Sequence, residues 1–265
     1  MKRAILFTIV LILSWTSVVL AQGPIDGYMK GKGHIDAAFT YSSEFFDTYL
    51  FGKERQSISN QTHTISLFAT GGFSDMLDFV LSVPYIWTDS LNRNFQDAIL
   101  ALKFLNGTQE TDHGQWSLIT AVGLTFPISN YRTDTERPIG QKAIAFQPRV
   151  LAQYQDQSGF FFMAQSGLDF RVAPTDKIGF PLIVRGGYAG AKVYADLWFD
   201  LFKTINPGVD TGIQAGEGSD WYKVGATLYK PVGRHLGLFI SGAIYLGGRN
   251  IGLAQRVNVG FVLRK

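Results

Sequence analysis

The chain has 265 residues, with 24 Lys and Arg, 21 Asp and Glu, 29 glycines, 14% aromatic residues and no cysteine. The absence of cysteine excludes disulfides and thiolate sites. The 46% hydrophobic content excludes a disordered chain, and a net charge of +3 gives no indication of nucleic-acid binding. High glycine together with high aromatic content disfavours helices and is typical of strands joined by turns.

Residues 1–21 have the pattern of a secretory signal peptide. A positive start at Lys2-Arg3 precedes the apolar residues 4–13, and Val19-Leu20-Ala21 fits a cleavage site. A retained membrane anchor is the alternative, but polar residues interrupt the apolar run before it could cross a bilayer. The sequence therefore predicts a cleaved signal peptide and one mature domain at 22–265.

The mature chain places its hydrophobic residues in short alternating segments. From Trp116 to Phe126 the even positions are almost all large and apolar, while the odd positions are mostly small or carry hydroxyl groups. The same alternation recurs near residues 193–201, 223–229 and 256–263. Twelve strands are predicted, centred near residues 37, 65, 81, 100, 121, 149, 165, 185, 197, 226, 241 and 259.

An exported strand protein of this kind is either a soluble β-sandwich or an outer-membrane barrel. The predicted strands have about 10 to 14 residues, as membrane-crossing strands require, whereas soluble strands have about five or six. Their number is even, and aromatic residues recur near the strand ends, as in interfacial girdles. The sequence favours an all-β fold, an antiparallel transmembrane β-barrel in contact with lipid in the bacterial outer membrane.

Loop lengths predict which ends of the strands lie together, since outside loops are longer than periplasmic turns. With the N-terminus inside, the outside loops are 44–56, 88–94, 129–142, 173–179, 203–220 and 247–253. The inside turns are 71–76, 106–115, 156–158, 190–191 and 231–235, of which 106–115 is longer than expected.

The non-lipid face of the strands carries the candidate functional residues. They are Asp36, Asp97, Lys103, Arg149, Gln153, Gln165, Asp169, Arg171, Arg185, Asp196, Asp200, Lys223 and Arg256. Acidic and basic members are nearly balanced, and a barrel of this size has a narrow lumen. Two interpretations stay open: these charges satisfy one another inside the barrel, or they shape a polar route for a small solute.

Catalysis is not predicted, and neither a cofactor nor a metal is expected. A hydrolase built on a serine and a histidine would need His34 or His63 beside a serine in the folded barrel. Ser59 and His63 are four residues apart, which separates them by about 13 Å along a strand. The sequence contains no histidine pair at ligand spacing and no glycine-rich phosphate loop.

Three motifs carry a resemblance to a known family. The segments are GFSDMLDFVLSVPY at 72–85, QDAILALKF at 96–104 and GLTFPISNY at 123–131. In this order and spacing they resemble the outer-membrane proteins grouped with the phenol-degradation MetA-type transporters. The resemblance covers roughly residues 60 to 200 and implies a relative of the FadL-type channels, which admit hydrophobic or aromatic small molecules.

The resemblance also marks two expected departures from FadL itself. About ten mature residues precede the first strand, so the N-terminal hatch that plugs those channels is expected to be missing. Twelve strands are expected instead of fourteen.

The expected function is passive uptake or efflux of small solutes, through the lumen or through a side opening where Pro84, Pro148 and Pro181 interrupt strands. The alternative is a non-transporting barrel whose loops at 203–220 and 129–142 bind a partner or a surface. The oligomeric state is left open.

Overall fold

The computed structural model describes residues 25–52, 54–88, 92–133, 138–206 and 218–265, which form one antiparallel sheet. Its strands are β1 (Ile35–Phe51), β2 (Glu54–Ser74), β3 (Leu77–Trp87), β4 (Arg93–Phe95), β5 (Asp97–Thr111), β6 (Gly114–Pro127), β7 (Ile144–Asp156), β8 (Phe160–Gly167), β9 (Asp169–Ala173), β10 (Lys177–Ala189), β11 (Tyr194–Asn206), β12 (Asp220–Pro231), β13 (Leu236–Arg249), β14 (Ile251–Gly252) and β15 (Gln255–Arg264). A search of these residues finds no helix with the length and hydrophobicity to span a membrane.

The sheet closes on itself as a barrel. The ring is completed where β15 pairs with β1, from Asp36 opposite Arg264 to Phe45 opposite Gln255. β8 and β9 share one place in the wall, because both lie between β7 and β10, and β4 and β14 are short additions beside β3 and β1. The wall therefore has twelve strands, as predicted. Closure pairs every strand edge, which a membrane requires of a sheet.

The outer face of the barrel is apolar. On β15, Val257, Val259, Phe261 and Leu263 are exposed, whereas the residues between them face inward. Phe261 stacks on Phe39 of β1 with ring centroids 5.2 Å apart. Because exposed apolar residues recur on strand after strand, the outer surface is suited to lipid and not to water. The soluble sandwich considered as an alternative is therefore wrong.

Adjacent positions on β15 test this assignment of faces. Val259→Lys places a charge on the lipid face, and we expect it to lower the free energy of unfolding by about 2–4 kcal/mol in lipid vesicles. Asn258→Lys is the matched control. It places the same charge in the interior beside Ser241, where polar groups already lie, and should lower the free energy of unfolding clearly less. Urea titration followed by tryptophan fluorescence measures both. Equal costs would contradict the assignment.

The two ends of the barrel differ in the length of their connections. Short connections at 75–76, 112–113, 157–159, 190–193 and 232–235 lie at one end, which we name the turn end. The opposite end, the loop end, carries the described parts of the connection 128–143 and residues 218–219 before β12. Residues 134–137 and 207–217 fall outside the described part of the chain, as does the predicted signal peptide, which stays a prediction.

Two predicted connections were too long. The segment 106–115 is mostly strand: β5 continues to Thr111 and β6 begins at Gly114, with a register shift between Leu105 and Gly107. The segment 44–56 is also mostly strand, since β1 continues to Phe51 and β2 begins at Glu54. β5 and β2 extend here with polar residues, so the apolar alternation used for prediction stops before the ladder does, whereas β1 continues through residues 45–51 past a register shift.

Candidate functional site in the barrel interior

The segment 25–34 enters the barrel at the turn end, before the first strand begins. Lys32 pairs with Gly72 of β2, and the Gly33 amide donates to the Gly72 carbonyl at 2.9 Å. Gly72 permits this approach, because a Cβ there would meet the Gly31 carbonyl oxygen. The short segment before β1 thus lies inside the barrel, whereas the sequence analysis, which expected the FadL-type hatch to be missing, did not place these residues in the interior.

Buried ion pairs hold this N-terminal segment. Lys103 Nζ donates to Asp26 Oδ1 at 2.8 Å and to the Tyr28 carbonyl at 2.5 Å, and it lies 3.8 Å from Asp78 Oδ2. The Lys30 amide donates to the same Asp78 oxygen at 2.8 Å, and Lys30 Nζ reaches Asp36 at 2.6 Å. These groups are almost fully buried, so each charge depends on its partner.

Apolar contacts complete the docking of the segment. Ile25 packs into a buried cluster formed by inward residues of β3, β5, β6, β7 and β8, in which Leu151 and Met163 are almost fully enclosed. Tyr28 contacts Phe161 edge to face, with centroids 5.8 Å apart. Both charge pairs and apolar side chains thus hold the segment inside the barrel.

All thirteen predicted interior residues lie on the inward face, buried or partly buried, and most are paired. Besides Lys103 and Asp36, the pairs are Arg149 with Asp169, Arg185 with Asp196 at 2.8 Å, Lys223 with Asp200 at 3.0 Å, and Arg256 with Glu44 at 2.6 Å. Gln153 and Gln165 are buried in the same interior. Mutual charge pairing, one of the two interpretations left open, therefore describes most of these residues.

Sequence reasoning missed four of the partners. They are Asp26, Lys30, Glu44 and Asp78. Strand alternation contains a signal for Asp78, which shares the inward face with Val80, and for Glu44 once β1 is extended to Phe51. No periodic signal exists for Asp26 and Lys30, because they precede the first strand.

Asp97 anchors both described ends of the connection 128–143 at the loop end. It accepts a hydrogen bond from the Tyr131 hydroxyl at 2.6 Å and another from the Ala143 amide at 2.9 Å. Burial, together with the hydrogen bond to Asp97, raises the pKa of Tyr131 above its ordinary value. The phenol therefore stays protonated and keeps donating to the carboxylate.

Below this connection a cavity of about 490 Å³ remains at the loop end, which we name the vestibule. Its wall includes Tyr49, Phe51, Phe202 and Trp221, and the last two rings stack with centroids 4.3 Å apart. Its polar lining includes Asp169, Arg171 and Lys177. The vestibule combines an aromatic wall with fixed charges, which is the usual make-up of a small-molecule site.

The barrel wall is interrupted beside the vestibule at Leu168, where β8 ends and β9 begins. Pro148 of β7 and Pro181 of β10 flank this point, and neither has an amide hydrogen to donate to the ladder. The Leu168 amide reaches the Pro148 carbonyl at 3.2 Å, and the Ser166 hydroxyl donates to the Pro181 carbonyl at 2.9 Å. Pro84 lies elsewhere, where β3 changes partner from β5 to β4.

The histidines are not arranged for catalysis. His63 lies on the outer face, where Nδ1 is 2.9 Å from the Tyr41 hydroxyl and the ring stacks on Trp87. His34 is exposed at the turn end. Among the described residues, no group of three His, Asp or Glu side chains is placed to hold a metal ion.

Comparison with known proteins relates this barrel to others. A family model described as "Putative MetA-pathway of phenol degradation" matches residues 26–221. No curated protein sequence matches. Among solved structures, an outer membrane channel from Pseudomonas putida F1 aligns with a TM-score of 0.68 and 14% identity, over 93% of this chain and 100% of that one.

Two further structures share the architecture. A NanC porin aligns with a TM-score of 0.55 and 8% identity, over 86% of this chain and 98% of that one. The translocator domain of the autotransporter NalP from Neisseria meningitidis aligns with a TM-score of 0.52 and 9% identity, over 99% and 96% of the two chains. The fold is that of bacterial outer-membrane barrels.

Proposed function

We propose that this chain, which belongs to the family described as the MetA pathway of phenol degradation, is an outer-membrane channel for small hydrophobic or aromatic solutes. The observation that carries the proposal is the lumen. It is filled by the N-terminal segment at the turn end, and at the loop end it holds an aromatic-walled vestibule of about 490 Å³. Such a site suits a small apolar molecule better than a chain of hydrated sugars.

The paired interior charges support the same preference. Because Arg149, Arg185, Lys223 and Arg256 each face a carboxylate, the lumen presents few free charges to attract hydrated ions. A hydrated solute would also meet the docked N-terminal segment. We infer that ions and polar solutes pass slowly.

Two routes lead out of the vestibule. One runs along the lumen and requires the segment 25–34 to leave it. The other runs sideways into the membrane at Leu168, where proline-flanked strands have lost ladder hydrogen bonds. The side route suits apolar solutes, because they gain free energy by entering lipid.

Whole cells provide the test. We expect cells that produce the protein to take up the hydrophobic dye phenylnaphthylamine several-fold faster than cells with an empty vector, while hydrolysis of the polar compound nitrocefin by periplasmic lactamase changes little. Purified protein in planar bilayers should give small, infrequent current steps. The proposal fails if the protein is inserted in the outer membrane but gives neither dye uptake nor any conductance.

A further inference from the structure

One vestibule side chain is not accounted for by the pairing of the interior. Arg171 of β9 lines the cavity, and its Nη1 donates to Gln141 Oε1. Its Nε is buried without a hydrogen-bond partner, and among the described residues no carboxylate forms an ion pair with it. A buried donor left unsatisfied is costly, so its presence calls for an explanation.

A second basic side chain lies beside Arg171. Lys177 of β10 is its direct register partner across the ladder and is also buried at the cavity wall. Within the described part of the chain, Asp169 is the one carboxylate lining the vestibule. Its two oxygens are engaged by Arg149 and by Gln147 Nε2, the latter at 3.1 Å. Arg171 thus faces a cavity in which the one described carboxylate is already engaged, with the buried Lys177 beside it.

The geometry of a guanidinium narrows the class of anion. Its Nε and Nη donors form a planar fork that a carboxylate accepts through two parallel hydrogen bonds. The neighbouring strands β11 and β12 supply the stacked rings of Phe202 and Trp221, and β1 supplies the pair Tyr49 and Phe51, with centroids 4.6 Å apart. An apolar ring held against these side chains would make the offset or edge contacts that aromatic groups prefer.

From this arrangement we propose that the vestibule binds a monocyclic aromatic carboxylate of the size of benzoate. The carboxylate lies on Arg171, with Lys177 contributing charge, and the ring lies against Phe202 and Trp221. This inference rests on the proposed function, since it names a solute class for the same channel. It adds a charge requirement that an apolar lumen alone does not imply.

Titration calorimetry on the full mature chain in detergent tests the site with three probes. Benzoate should bind, whereas benzamide, which has the same shape without the charge, should bind at least about tenfold more weakly, the loss expected for a charge-assisted hydrogen bond. Acetate, which lacks the ring, should also bind at least about tenfold more weakly. Equal affinities for benzoate and either of the other probes overturn the proposal.

Variants locate the site. Arg171→Gln should weaken benzoate at least about tenfold and leave benzamide unchanged, and Arg171→Lys should restore part of the loss. Arg93→Gln, an exposed arginine at the loop end, is the matched control and should leave benzoate affinity unchanged. Heat-modifiable mobility in gels checks that each variant is a folded barrel. A folded Arg171→Gln variant that binds benzoate with unchanged affinity overturns the proposal.

Uptake of the neutral dye separates this inference from the proposed function. Dye uptake without benzoate binding overturns the carboxylate site alone and leaves the channel in place. Benzoate binding without dye uptake or conductance supports the site and overturns the channel.

Discussion

Asp26→Ala is expected to raise single-channel conductance several-fold and to speed nitrocefin uptake by whole cells. The substitution removes the carboxylate that Lys103 Nζ contacts at 2.8 Å, and with it the ion pair that joins the N-terminal segment to β5. Lys103 retains Asp78 at 3.8 Å, so the wall keeps its own pairing while the segment loses a buried interaction. The docked segment should then leave the lumen for a larger part of the time.

A matched substitution separates the plug from a general effect of charge. Glu44→Ala removes a comparably close interior pair, with Arg256 at 2.6 Å, that does not involve the N-terminal segment. It should change conductance much less than Asp26→Ala. Equal increases in the two variants, or no increase in Asp26→Ala, would show that the segment does not limit passage through the lumen.

The second large effect concerns the wall. Ser166→Cys together with Leu182→Cys introduces thiols at register partners of β8 and β10, just below the interruption at Leu168. The natural chain has no cysteine, so the introduced pair can bond only to each other within a molecule. If solutes leave sideways here, oxidation should reduce dye uptake about tenfold or more by pinning the two strands, and a reducing agent should restore it. Ion conductance through the lumen should be unchanged.

The control for this engineered disulfide lies in an uninterrupted part of the barrel. Leu228→Cys with Ile240→Cys joins register partners of β12 and β13 on the same outer face. Oxidising that pair should leave dye uptake as it was. A side route at Leu168 is contradicted if both disulfides change dye uptake equally. It is also contradicted if the disulfide between positions 166 and 182 forms fully and dye uptake continues at its original rate.

The number of strands and the orientation of their residues were predictable because successive residues of a barrel strand point alternately to lipid and to the interior. Lipid selects the outward residues of β15 and the narrow interior selects the inward ones, so a period of two is present in the sequence itself. The same reasoning placed the thirteen candidate interior residues on one face, and in the structure each of them is buried or partly buried. It failed at 106–111, where both faces of the strand are polar and exposed, so no alternation remains to be detected.

The site was less predictable because its contacts are distant in sequence. Asp26 and Lys103 are separated by 77 positions, and no local pattern relates a residue before the first strand to one on β5. The vestibule is likewise built from residues that are distant in sequence, since Phe51, Arg171 and Trp221 come together only when the ring closes. Whether a residue faces inward or outward can be predicted from a single strand, whereas its contact partner can be identified only in the closed barrel.

The closure of the ring between its first and last strands has a consequence for biogenesis. β1 gains its second neighbour only from β14 and β15, and the pair of Glu44 with Arg256 joins positions 212 residues apart. Contacts of such high sequence separation are slow to form, because the loop-closure entropy is lost before any contact compensates for it. Until the final strand arrives, β1 presents an unpaired edge, which is a template for wrong pairing. We therefore expect the chain to be held unfolded during export and to become stable in a single late step, when its two ends meet.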